Sequence, residues 1–84
     1  MKGEFAISKA GHDKGKVYVI VAEDGDFVLL ANGEERTIEN PKRKRLKHIQ
    51  PVHKIRPEET GTDEKIKRAI KLYVQRNEGK LMEE

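Results

Sequence analysis

The sequence has no cysteine and no tryptophan, and only two tyrosines and two phenylalanines. The missing cysteine excludes disulfides, thiolate ligands for zinc and a cysteine nucleophile, so packing alone must hold the chain together. With so few aromatics, Phe5, Tyr18, Phe27 and Tyr73 are all needed for a core and for packing a helix. Base stacking in the manner of an RNA-recognition motif is not expected. No stretch approaches the ~20 apolar residues that span a bilayer. The start, Met1-Lys2-Gly3-Glu4-Phe5, also lacks the apolar run of a signal peptide. A cytoplasmic protein with no membrane partner is the expectation. A chain of 84 residues points to one domain with a thin core, because a domain this small hides only roughly 60–65% of its unfolded surface.

Charge is what the sequence has in quantity. Charged residues make up 39% of it and hydrophobic ones 35%. The net charge of +3 is unevenly placed. Residues 1–41 balance at −3 and residues 57–84 at −1, whereas residues 42–56 carry +7 and no carboxylate. Such segregation suits a polyanionic partner.

Residues 3–8 alternate Phe5 and Ile7 as a first strand does. Residues 16–22, with Val17-Tyr18-Val19-Ile20-Val21, read as a strand apolar on both faces. Asp24-Gly25 predicts a hairpin into a third strand, Phe27–Ala31. Asn32-Gly33 predicts a second hairpin into a short fourth strand over 35–39, with Ile38 inward and Pro41 ending it. Residues 42–47 then read as a basic loop, and 48–52 as a fifth strand interrupted by Pro51. Five short strands with close turns predict a small antiparallel barrel over residues 1–56. After a connector at 57–61, Thr62 caps a helix over 62–78, with Gly79 as its stop. Its stripe of Ile66, Ala69, Ile70, Tyr73 and Val74 needs a surface to cover. The expected surface is the face of the second strand around Tyr18 and Ile20.

The segment from Glu4 to Val17, with Ala10-Gly11-His12-Asp13-Lys14-Gly15-Lys16 at its centre, resembles a KOW motif. Together with Phe27-Val28-Leu29-Leu30-Ala31-Asn32-Gly33 and Pro41-Lys42-Arg43-Lys44-Arg45-Leu46-Lys47-His48-Ile49-Gln50, it is similar to the bacterial KOW-domain RNA-binding proteins. These are in turn similar to the e-type large-subunit ribosomal protein fourteen of archaea and eukaryotes. The resemblance covers nearly the whole chain. It implies a mainly β fold, a five-stranded SH3-like barrel with one C-terminal helix. It also implies a translation-associated role with RNA, ribosomal RNA above all, as partner, and ribosomal proteins as further partners. His12 stands where the family more often has arginine, which removes one permanent charge.

Two basic segments are candidate RNA-binding sites. In the first, Gly11 lets backbone N–H groups approach a phosphate while Lys9, His12, Lys14 and Lys16 supply charge; equally, Gly11 and Gly15 suit a tight turn whose lysines face water. In the second, Lys42, Arg43, Lys44, Arg45, Lys47 and His48 can donate to phosphates or 2′-hydroxyls, with the arginines forking onto phosphate oxygens. A charge run can also be a plain solvated face. In a simple meander these two segments sit at opposite ends. If about five phosphates are neutralised, log affinity should fall with log salt at a slope of roughly −3.5 to −4.5.

Other chemistries fit poorly. Gly11-x-x-x-Gly15-Lys16 is one residue short of a P-loop, has Val17 in place of its Ser/Thr, and leads into a strand. His12, His48 and His53 lack metal-ligand spacing, and the carboxylates show no paired, buried couple. The expectation is a non-enzymatic protein with no cofactor and no metal. The alternatives to RNA are a protein-interaction module of SH3-like type and DNA binding.

Overall fold

The computed structural model describes residues 1–76; the expected helical residues 77–78 and the stop at Gly79 therefore lie outside the described residues. Five strands form one antiparallel sheet: β1 (Phe5–Ser8), β2 (Val17–Asp24), β3 (Phe27–Ala31), β4 (Lys42–Arg45) and β5 (Ile49–Val52). A short 3₁₀ turn, Leu46–His48, joins β4 to β5, and one helix, α1 (Asp63–Arg76), follows. The strand order is β4-β3-β2-β1-β5. The long β-branched strand β2 thus lies at the centre, where both its faces can be covered.

The sheet has two edges, β4 and β5, with no ladder between them, so it is an open sheet and not a hydrogen-bonded closed barrel. It is nevertheless strongly curled. In a flat sheet β4 and β1 would lie about 14 Å apart, three spacings of ~4.7–4.9 Å. Here Lys44 of β4 reaches the carbonyl of Ala10, two residues past β1, at 3.0 Å. An irregularity in the β2–β3 register between Ile20 and Ala22 helps β2 to bend.

Curling produces an inner and an outer face, each with its own apolar cluster. The inner cluster gathers Ala6, Tyr18, Ile20, Val28, Leu30 and Ile49, with Leu46 packed against it. The other cluster gathers Phe5, Val17, Val19, Ala31 and Val52 with Ile66 and Tyr73 of α1. The helix therefore covers β2 as expected, but on the face of Val17 and Val19. Tyr18 and Ile20 belong to the inner cluster instead. Ile66 is fully buried, and Tyr73 stacks on Phe5 with ring centroids 4.6 Å apart. Each fully buried aliphatic side chain of this kind stabilises by ~1.5–3 kcal/mol. The helix starts as the sequence predicts: the Lys65 amide donates to Thr62 Oγ1 at 3.2 Å.

Two strand assignments change. Residues 35–39 form no strand, and Ile38 is 37% exposed instead of inward. The fourth strand is Lys42–Arg45, within the segment expected to be a loop; it pairs Leu30 with Lys42 and Phe27 with Arg45. The Asn32-Gly33 turn is accordingly no two-residue hairpin. The Asn32 side chain accepts from the amides of Glu34 and Arg36, both at 3.0 Å. The Arg36 carbonyl in turn accepts from the amides of Asn32 and Gly33. This clip seats the turn against the start of α1. A Cβ on Gly33, where φ is +82°, would collide with the Asp63 carbonyl oxygen.

Candidate functional site

The pleat of β4 sorts its basic side chains. Lys42 and Lys44 stand opposite Leu30 and Val28, both inner-face residues, so they project to the inner face. There they meet Asp13, which the β1–β2 loop tucks in at 5% exposure. Lys44 Nζ lies 3.0 Å from Asp13 Oδ1, and Lys42 Nζ 3.0 Å from Oδ2. Ser8 Oγ donates to Oδ1 at 2.8 Å and the Tyr18 hydroxyl to Oδ2 at 2.9 Å. Both oxygens of a buried carboxylate are thereby answered, as a buried charge requires. Burial pushes the Asp13 carboxyl up, but the hydrogen bonds from Lys44, Lys42, Ser8 and Tyr18 outweigh it and hold it well below the usual carboxylate range. Tyr18, buried and donating to that carboxylate, is pushed up to about 12.

Arg43 and Arg45 stand opposite Leu29 and Phe27 and project outward. Both guanidinium groups lie over the Phe27 ring, at 3.7 Å and 5.1 Å from its centroid. Phe27, expected in the core, is half-buried beneath them. Arg43 also lies 3.6 Å from Asp24, in a pair exposed on both sides.

The two basic segments expected at opposite ends are in fact neighbours. The Lys9 amide donates to the His48 carbonyl at 2.8 Å, and Lys44 bonds the Ala10 carbonyl beside Gly11. Gly11 takes φ +84°, and its α-carbon faces Lys44 Nζ closely enough that an added Cβ would touch it. Around this junction Lys9, His12, Lys14, Lys16 and Lys47 are exposed and His48 is half-buried. Lys16 pairs with Glu35 at 3.3 Å, both well exposed. Two residues escaped sequence reasoning. One is Asp13, the only carboxylate between Glu4 and Glu23, a position that could have flagged it. The other is Arg36, which sits half-buried beside the β1–β2 loop; nothing in the sequence marks it.

A separate cluster holds the opposite corner. Glu4, 6% exposed, takes His53 Nδ1 at 2.9 Å and Arg56 at 3.5 Å. The His53 hydrogen bond is the main cause of its lowered carboxyl pKa. Among the described residues no three His, Asp or Glu side chains converge as metal ligands, and no helix is long and apolar enough to cross a membrane.

No protein-family model matches this chain and comparison with curated proteins finds no match, so the resemblance to KOW-domain proteins rests on the residues quoted for it.

Proposed function

We propose that the curled sheet is an SH3-like barrel of the KOW kind, and that the chain is a non-enzymatic, cytoplasmic RNA-binding protein of the translation machinery. The observation that carries this reading is the junction of the two basic segments. There Lys9, Lys14, Lys16, Lys42, Lys44 and Lys47 outnumber Asp13 and Glu35 on one side of the molecule. Lys44 belongs to the support of that surface, and Lys42 gives one of its donors to the same support. Among the described residues, Lys9, Lys14 and Lys47 are exposed and make no ion pair, so they can meet phosphates, with Arg43 and Arg45 on the outer face of the adjoining edge strand. The four aromatics are buried or covered, which favours recognition of backbone and shape over stacked bases.

Fluorescence anisotropy with duplex RNA, single-stranded RNA and duplex DNA across a salt series tests the reading. Structured RNA should bind best, with a log–log salt slope of roughly −3.5 to −4.5. Joint reversal of Lys9, Lys14 and Lys47 to glutamate should weaken binding more than tenfold without lowering Tm. Unchanged affinity in that variant would remove this surface as the contact. A protein-interaction role has its own observation: a groove of about 500 Å³ between α1 and residues 55–59, beside exposed Leu72. Loss of a partner protein on Leu72→Asp, with RNA binding unaffected, would favour that second role.

A further inference from the structure

Between the β1–β2 loop and the clipped turn after β3 lies a small depression of about 200 Å³. We propose that it is a phosphate subsite in which Arg36 and Lys42 hold one phosphate group, and that Glu35 competes with that group for Lys16. The occupant is an RNA phosphodiester if the proposed function holds, and a free phosphate otherwise.

Arg36 carries the argument. It is half-buried, yet its guanidinium has no ion pair or hydrogen bond among the described residues. A planar fork of donors left unanswered in a depression suits a tetrahedral oxyanion, which it can meet through two oxygens. Its backbone is fixed before any ligand arrives, because the Asn32 side chain holds the Arg36 amide and the Arg36 carbonyl accepts from two amides, so the side chain starts from a set point on the rim. Such preorganisation lowers the cost of binding.

The other walls agree. Lys42 spends one of its three donors on Asp13 and is still 27% exposed, so donors remain for a ligand. His12 adds an exposed imidazole. Asp13 does not turn the depression into a cation site, since Ser8, Tyr18, Lys42 and Lys44 already occupy its oxygens. Size limits the ligand as well. Pockets for drug-sized molecules run to ~300–1,000 Å³, and this smaller one has room for a phosphate group. Among the described residues that line it, Glu35 is the sole exposed acid. Its pair with Lys16 is 69% and 52% exposed, and a pair in that much water yields readily to a doubly or singly charged competitor.

Three proteins and two probes test this: wild type, Arg36→Gln and Glu35→Gln, with structured RNA and with inorganic phosphate. Arg36→Gln should weaken RNA binding about tenfold and make the salt slope shallower by about 0.7–0.9, the share of one phosphate. Glu35→Gln should tighten RNA binding about two- to fivefold. If wild type binds RNA but both variants match it in affinity and slope, the subsite is overturned while the RNA-binding reading survives. If wild type binds no RNA, that reading falls, and phosphate decides the subsite alone. Saturable shifts of the His12 amide resonance, lost in Arg36→Gln, would support a free-phosphate site; no shifts in wild type would overturn it. Among the described residues Arg36 makes no side-chain hydrogen bond or ion pair, so its variant should keep the wild-type Tm. Should it not, the affinity of Glu35→Gln, altered on an exposed rim, decides: tighter binding supports the subsite and unchanged binding overturns it.

Discussion

The two faces of β4 carry equal charge and differ in the residue that bears it: lysine at 42 and 44, arginine at 43 and 45. The inner face takes lysine because a flexible stem can lie along the inner-face apolar residues while its compact ammonium reaches Asp13. The outer face takes arginine, whose flat, weakly hydrated group rests on Phe27. Inward charges on an edge strand also discourage pairing with a second chain. The comparison teaches that a run of four basic residues is two populations. One is tied into the fold through Asp13, with Lys42 keeping donors to spare, and the other lies exposed on the outer face.

The sharpest way to break that distinction is Asp13→Ala. Removing the carboxylate strands Lys42 and Lys44 on the inner face, and breaking a buried pair typically costs ~3–5 kcal/mol. At ~4–8 °C per kcal/mol for a domain of this size, Tm should fall by more than about 12 °C. Urea denaturation gives the direct value. A loss under about 1 kcal/mol would mean that both lysines escape to water, and that the inner face is not tied into the fold.

Single reversals on neighbouring residues come next. Lys44→Glu sets a second carboxylate beside Asp13 in a site only 12% exposed at that side chain; circular dichroism should show most of the protein unfolded at 37 °C. Arg45→Glu, one residue away on the outer face, should leave Tm within a few degrees and weaken RNA binding about three- to tenfold. Equal behaviour of the two variants in both measurements would erase the difference between the faces.

Why the sequence reads clearly in some places and not here is a matter of what alternates. In α1, apolar residues recur among polar ones at the period of the helix, and Thr62 marks its start. β4 has no apolar residue at all, so hydropathy cannot show it as a strand. Its ladder to β3 supplies what the pattern lacks, and the alternation of lysine with arginine is the one local trace of the pleat. β2 hides its orientation for the opposite reason. Val17 to Val21 is apolar throughout, so nothing local tells which face meets α1 and which meets the inner cluster. The candidate site was legible as two basic segments, but their junction depends on curling, which brings Lys44 to Ala10. Asp13 reads as a loop acid until its four partners are seen.

Acid should separate the two faces without any substitution. The Asp13 carboxyl is held low in the fold and returns to about 3.9 when the chain unfolds. Below that pH the unfolded state takes up the proton first. The stability that Asp13 contributes is therefore complete above about pH 5 and is lost as pH falls below about 4. Glu4, also lowered, acts in the same direction. Asp13→Asn should have a lower Tm at pH 7 and a flatter Tm profile from pH 5 to pH 2; an acid limb as steep as that of wild type would assign the effect to Glu4. At the alkaline end Tyr18 acts with the opposite sign. Its folded value of about 12 against 10.0 unfolded removes stability as pH rises above about 10.

The smallest expected effect uses the other acid that touches β4. Asp24 pairs with Arg43 at 3.6 Å, and the two side chains are 66% and 56% exposed. An ion pair in that much water contributes ~0–1 kcal/mol and less as salt rises. Asp24→Asn should therefore change Tm by no more than a few degrees, where Asp13→Asn lowers it strongly. Its effect belongs to binding: with the neighbouring carboxylate neutralised, Arg43 is freer to meet a phosphate, and RNA affinity at low salt should rise about two- to threefold and converge with wild type as salt screens the difference. Weaker RNA binding in Asp24→Asn would mean that the carboxylate orients Arg43 for its ligand, and the outer face, like the inner one, would then depend on an acid of the protein's own to hold its cations in place.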